Sequence, residues 1–209
     1  MFSLDSKFIQ VLGRVADLMM LNILFVLTSL PIVTAGAAWT ALYDVCFRIS
    51  SGRDEKMIRH YFRAFRKNFR SSTVLWIVLL FSCCITSFMT VRLFVMPGKF
   101  HMFYVFYAVL TALILFIGSY VFPLMSQFNN SIGKMVKNAL VLSLGYAPRS
   151  ILIVALNILP IVLLLVRTDL FLRGMMIWLL LYFSGITYLN TRLFRKVFQP
   201  YWVQEKSTQ

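Results

Sequence analysis

The stretch LTSLPIVTAG, residues 27–36, places a proline and a glycine inside the first long apolar run of the chain. Pro31 removes a backbone donor from a helix, and Gly36 permits backbone conformations that other residues adopt poorly. The uncharged run 18–43 would extend about 39 Å as one helix, which is longer than one upright membrane crossing requires. Two complete crossings would need roughly 40 residues. Two interpretations therefore stay open, a tilted and kinked helix or a re-entrant pair that turns at this stretch.

Composition places the whole chain in a membrane. Of its 209 residues, 60% are hydrophobic and 13% are charged, and the mean hydropathy is +0.79. A soluble domain carries charge on about a quarter of its residues. The long continuous apolar runs lack the two-residue alternation of a membrane barrel. The sequence predicts an all-α, polytopic transmembrane helix bundle that forms a single domain over residues 1–209.

Five runs reach the roughly 20 residues that cross a hydrocarbon core. The predicted spans are 18–43, 73–95, 102–122, 148–166 and 170–189. The first of these is the segment broken at Pro31–Gly36.

Lysine and arginine orient the predicted bundle, because positive side chains are retained on the cytoplasmic face. They crowd the interval 48–70, the connection 123–147 and the tail after residue 189, whereas the connections near 96–101 and 167–173 carry few. We expect a bacterial cell-membrane protein with its basic loops and C-terminus in the cytoplasm. Five crossings would then place the N-terminus outside.

The break must be satisfied inside the protein, since free backbone groups are not tolerated against lipid. Hydroxyls near it can supply bonds, and the residues in TAGAA are small enough for close helix packing. The break is interpreted either as a solute or ion site or as a packing centre, and a signal-peptidase site at 35–37 is a third interpretation. The candidate residues are Asn22, Thr28, Ser29, Pro31, Thr34, Gly36, Asp44 and Asn157.

Polar side chains in the apolar runs each have a structural and a functional interpretation. Asp44 precedes Arg48 by one helical turn, so the two predict an ion pair, with a proton or cation site as the alternative. Asn22 and Asn157 predict hydrogen bonds between helices or to a polar solute. Ser82, Thr86 and Thr90 recur every four residues, and this stripe predicts helix packing or a pore lining.

The segment 57–69, MIRHYFRAFRKNF, predicts an amphipathic helix at the cytoplasmic surface. Its rings and cations fit anionic inner-leaflet lipids or a partner subunit. Lipid attraction and topology account for the net charge of +14, so no nucleic-acid partner is expected. The docking candidates are Arg59, Tyr61, Phe62, Arg63, Phe65, Arg66, Lys67 and Phe69.

The chain lacks the residue patterns of catalysis. His60 and His101 have no metal-ligand or nucleophile spacing around them, and no phosphate-binding loop or nucleophile elbow is present. Cys46, Cys83 and Cys84 have no metal spacing and predict buried thiols. We expect no enzyme activity, no cofactor and no metal.

The pattern LNILFVLTSLPIVTAGAAWTALYDV, followed by YFRAFRKNF and an aromatic apolar span, resembles the YesL-like family of bacterial membrane proteins. The resemblance covers residues 21–76, and the span order fits the rest of the chain. It implies an association with carbohydrate uptake and utilisation, beside sugar importers, and it supplies no catalytic residues.

Two functions follow from the sequence. The first is a non-enzymatic accessory component of a carbohydrate-uptake system, bound to a sugar-importer permease. The second is a small independent solute carrier or channel. Because five short spans leave little room for a pathway, the carrier would act as a homo-oligomer.

Overall fold

The computed structural model describes residues 3–52, 56–95 and 101–207, and the side chains of residues 8–52, 56–95 and 102–198. Parts of two predicted loops, 53–55 and 96–100, lie outside the described residues, as does the side chain of His101. The described chain is helical and contains no strand. Its helices are α1 (Ser3–Ser29), α2 (Ala35–Ser50), α3 (Met57–Val95), α4 (His101–Gln127), α5 (Ile132–Gly145), α6 (Ala147–Val166), α7 (Thr168–Arg173), α8 (Met175–Ile177) and α9 (Phe183–Ser207).

Five helices in the described residues are long and apolar enough to cross a membrane, which confirms the predicted class and number. Their positions differ from those predicted at two places. The first predicted span, 18–43, is divided between two helices, and 170–189 is not among the five. The five are Phe8–Ser29, Ile32–Ser50, Met57–Val95, Met102–Gln127 and Ala147–Val166.

The run 170–189 is divided among several helical pieces. Gly174 ends α7, and a π-helical turn, Trp178–Tyr182, separates α8 from α9. The helical backbone then continues without a break from Met175 to Ser207. Much of its second half is polar and basic, so only its beginning matches the predicted span.

Helices α1 and α2 form an antiparallel hairpin that turns through a 3₁₀ segment, Ile32–Thr34. Near the turn, the rings of Phe25 and Trp39 lie 4.8 Å apart between centroids. At the open end, Arg14 Nη1 donates to the Ile49 carbonyl at 3.0 Å. The first segment is therefore a turning pair and not one kinked helix.

The hairpin also decides between the two alternatives for the side of the N-terminus. Because the Arg14 contact joins α1 to the carboxyl end of α2, the beginning of α1 lies on the same side as the basic loop that follows α2. If residues 18–43 crossed once, the N-terminus would lie on the opposite side, and the re-entrant alternative left its side open. An antiparallel pair returns the chain to the side from which it started.

Helix α2 lies at the centre of the bundle between two clusters of buried side chains. On one side, Leu21 and Phe25 of α1 and Tyr61 of α3 pack around Leu42 and Cys46 of α2. The other cluster includes Tyr43 and Phe47 of α2, Tyr120 of α4 and Phe194 and Phe198 of α9. Small residues along α2, mainly alanines, let these neighbours approach its backbone.

Candidate functional site

The break between α1 and α2 is held by hydrogen bonds from its own hydroxyls. Thr34 Oγ1 lies 2.6 Å from the Thr28 carbonyl and 2.8 Å from the Pro31 carbonyl. Ser29 Oγ donates to the Val26 carbonyl at 3.1 Å. These bonds satisfy carbonyls that a continuous helix would have paired.

Helix α3 supplies two further bonds to the break. The Trp76 indole donates to the Ile32 carbonyl at 2.8 Å, and the Thr28 and Tyr61 hydroxyls lie 2.6 Å apart. Trp76 stands midway along α3, so the hairpin turns beside the middle of that helix and not at its end. The break is a packed junction of three helices.

Gly36 marks the closest approach of α2 to α3. A Cβ at this position would lie 2.5 Å from both the Ser72 carbonyl oxygen and the Trp76 Cβ, and 3.2 Å from the Phe122 ring. One turn later, the Thr40 and Ser72 hydroxyls share a buried hydrogen bond of 2.9 Å. Glycine is needed here because the backbone of α3 occupies the space of a side chain.

Asn22 links α1 to the π turn. Its amide nitrogen donates to the carbonyls of Trp178 and Leu179 at 3.1 and 2.7 Å, and its oxygen accepts from the Ser184 backbone N–H at 2.8 Å. A π turn disrupts the regular helical pairing, and Asn22 bonds to backbone groups within and just after it. Asn22 is fully buried and joins two helices, as the structural interpretation predicted.

The other predicted polar residues divide between partnered and unpartnered groups. Asp44 Oδ2 accepts from Arg48 Nε at 2.9 Å, which is the ion pair expected on one face of α2. Asn157 Oδ1 is buried and has no hydrogen-bond partner among the described residues. The two asparagines that looked equivalent in sequence therefore have different environments.

The hydroxyls of Thr86 and Thr90, in the polar stripe that begins at Ser82, bond to carbonyls of their own helix, α3. Thr86 Oγ1 donates to the Ser82 carbonyl at 2.9 Å, and Thr90 Oγ1 donates to the Thr86 carbonyl at 2.8 Å. Thr86 is buried, so the stripe contributes to packing. Of the three cysteines, Cys46 is buried, Cys83 is half-buried and Cys84 is exposed, which corrects the expectation that all are buried.

Polar residues on α9 were not singled out from the sequence. Ser184, Thr187, Asn190 and Thr191 are all fully buried. The Asn190 amide lies beside the Tyr43 hydroxyl of α2, but neither group has a hydrogen bond of good geometry to a described residue. Thr187 Oγ1 is also without a partner there. The four polar residues of α9 recur every three to four positions and therefore lie on one face of the helix. This period was the signal available in the sequence.

The segment 57–69 forms the first part of α3, and the hairpin covers one side of it. Tyr61 is fully buried and Ala64 is 7% exposed, so Tyr61 is not available for docking. Phe65 is half-buried. The exposed side, here called the basic ridge, consists of Arg59, Phe62, Arg63, Arg66, Lys67, Phe69 and Arg70.

Arginines from two other helices meet the carboxyl end of α2. Arg14 of α1 bonds the Ile49 carbonyl, and Arg195 of α9 bonds the Ser50 carbonyl. Cations are favourable at a helix carboxyl end, where backbone carbonyls are unpaired. These bonds gather the beginning of α1, the end of α2 and the basic part of α9 on one side of the molecule, here called the basic side.

A groove opens between the end of α4 and α5, with a volume of about 290 Å³. Its floor is apolar and includes Leu124, Phe128, Met135 and Leu142, and its rim carries Lys137 and Asn138. The Phe128 ring contacts Phe198 of α9, whose ring stacks on Phe47 near the end of α2. The groove therefore lies toward the basic side.

The fold and these contacts define a polytopic α-helical membrane protein whose broken first segment is a packed hairpin. No group of three or more histidine, cysteine or acidic side chains that could hold a metal occurs in the described part of the chain.

A family model described as "Protein of unknown function, DUF624" matches residues 18–89, which comprise most of the hairpin and most of α3. No curated protein and no solved structure matches the chain.

Proposed function

We propose that this chain is a non-enzymatic accessory component of a membrane uptake system and binds a permease through its basic ridge. The observation that carries the proposal is that the first part of α3 packs one face on the hairpin and exposes the other. Tyr61 and Ala64 anchor this helix on the hairpin, while Phe62 and Phe69 are 46% and 41% exposed among arginines. Exposed aromatic and arginine side chains on a fixed helix are the residue types that anchor protein interfaces.

The state of the break supports an accessory role over a transport role. A solute site at a broken helix presents free backbone groups to the solute. Here the carbonyls of Thr28, Pro31 and Ile32 are each bonded to a side chain of the same chain. The space beside Gly36 is filled by α3.

Charge distribution supports the orientation. The basic ridge begins shortly after the end of α2 and runs along the hairpin toward Ser72, which packs on Gly36. The positive-inside rule assigns the arginine-rich basic side to the cytoplasm of a bacterial cell. The N-terminus and C-terminus then both belong to the cytoplasm. Anionic inner-leaflet lipids would bind the same arginines in the absence of a partner.

The assignment to carbohydrate uptake rests on the resemblance to the YesL-like family. That resemblance is carried by residues 21–76, and the matched family model spans the same region. A sugar-importer permease is the proposed partner for this reason.

Site-specific photo-crosslinking in native membranes tests the proposal. A benzophenone amino acid replaces Phe62 on the basic ridge, and a matched control replaces Val105, a 54% exposed residue on α4 away from the ridge. The expected result is a crosslink to an importer permease from position 62 and none from position 105. Crosslinks from position 62 only to lipid or to a second copy of the chain would refute the proposal.

The second candidate, a solute carrier acting as a homo-oligomer, is favoured by one observation. Tyr43 and Asn190 are buried side by side, and their polar atoms have no hydrogen bond of good geometry to a described residue, as expected of groups that bind a polar solute. Liposomes containing the purified chain should then show solute flux that Asn190→Leu abolishes without unfolding the protein. Unchanged flux in a folded Asn190→Leu variant would exclude this pair from a pathway.

A further inference from the structure

The groove between α4 and α5 combines an apolar floor with a cationic rim. Leu124, Met135 and Leu142 are buried in its floor, whereas Lys137 and Asn138 are exposed at its rim. Val141 lines the same groove and is 58% exposed. The groove thus offers an amphipathic ligand two surfaces of different chemistry within one cavity.

The charge around the groove is positive and is not neutralised along the chain. No aspartate or glutamate occurs between Glu55 and Asp169. Arg149 follows the same helix, and its guanidinium carbon lies 5.4 Å from the centre of the Tyr146 ring. A phosphate group at the rim would meet the Lys137 ammonium and the amides of Asn130 and Asn138.

We propose that this groove binds an anionic phospholipid, with an acyl chain against the apolar floor and the phosphate at Lys137. Basic pockets between helices on the cytoplasmic side of membrane proteins are suited to anionic lipid headgroups. A free phosphate ion would use the rim and leave the apolar floor unmatched, so the groove fits a whole lipid better. The site is separate from the basic ridge and does not depend on a permease partner.

Native mass spectrometry of the detergent-purified full-length chain tests this site. Phosphatidylglycerol and phosphatidylcholine are titrated separately, and bound lipid is counted for the parent chain, Lys137→Gln and Lys134→Gln. Both lysines are exposed on α5, but only Lys137 lines the groove, so Lys134→Gln is the matched control. We expect phosphatidylglycerol to bind in preference to phosphatidylcholine, and Lys137→Gln to weaken that binding about fivefold while the control stays near the parent.

The apolar half of the site has its own test. Val141→Thr keeps the side-chain shape and replaces one methyl group by a hydroxyl at an exposed position, so it should weaken phosphatidylglycerol binding without unfolding the chain. Equal losses in the two lysine variants would indicate a general surface attraction and overturn the proposal. Full competition by inorganic phosphate, or phosphatidylglycerol binding that none of the three variants changes, would also overturn it.

Discussion

The Asn22 side-chain oxygen on α1 accepts a hydrogen bond of 2.8 Å from the backbone N–H of Ser184, which is 162 positions away in the sequence. The amide nitrogen of the same side chain donates to the carbonyls of Trp178 and Leu179. One buried amide therefore joins α1 to the π turn and to the beginning of α9. These hydrogen bonds hold together helices from opposite ends of the sequence.

Replacing Asn22 with leucine should destabilise the protein by about 1–2 kcal/mol, because two partly buried carbonyls and one buried N–H lose their partner. Asn157→Leu is the control, since the oxygen of that amide has no partner among the described residues. Its effect should stay within about 0.5 kcal/mol. Thermal unfolding in a mild detergent measures both variants, and equal destabilisation would contradict the proposed role of Asn22.

Gly36→Ala should cost about 1–3 kcal/mol, because the added methyl would meet the backbone of α3 and force α2 and α3 apart. Gly118→Ala on α4 is the matched control, since its Cβ would meet only the Leu79 side chain at 4.0 Å. That control should be neutral or slightly stabilising, because alanine favours a helix more than glycine does. Chemical denaturation of the two variants compares them, and a tolerated Gly36→Ala would show that α2 can shift freely.

Tyr61 and Tyr43 are both buried but should respond differently to removal of the hydroxyl. Tyr61→Phe breaks the bond to Thr28 and should lower stability by about 1 kcal/mol. Tyr43→Phe removes a hydroxyl that has no hydrogen-bond partner among the described residues, so stability should stay the same or rise. Denaturation midpoints test this contrast. A double-mutant cycle of Tyr61→Phe with Thr28→Val should show coupling between the two sites, and its absence would argue against the bond.

The hairpin predicts that residues 10 and 51 face the same side of the membrane. Cysteines introduced as Gln10→Cys and Ser51→Cys, with Cys83 and Cys84 replaced by serine, can be labelled with a membrane-impermeant maleimide. Both positions are exposed, and both should react only after the cytoplasmic side is opened. Met102→Cys, near the beginning of α4, should react from outside. Labelling of position 10 from outside would mean that the first segment crosses once.

Several features of the fold were predictable because they depend on local composition. Apolar runs of sufficient length require helices in lipid, so the sequence predicted the class and the number of candidate spans. Asp44 and Arg48 are one turn apart, so their pairing needs only helical geometry. The proline and glycine predicted a break whose free backbone groups are bonded inside the protein. The sequence did not decide between a kinked helix and a re-entrant pair.

The sequence by itself determined that this chain is a helical membrane protein with an interrupted first segment and a basic surface, because chain length, hydropathy and helical period are local properties. Only the tertiary structure decided that the first segment returns on itself and that Gly36 accommodates α3. It also decided that Asn22 is hydrogen-bonded, whereas the Asn157 oxygen has no partner among the described residues. It also buried Tyr61 and gathered Ser184, Thr187 and Asn190 into the core. These outcomes depend on contacts between residues far apart in sequence, and the energies that select them arise only when the helices pack.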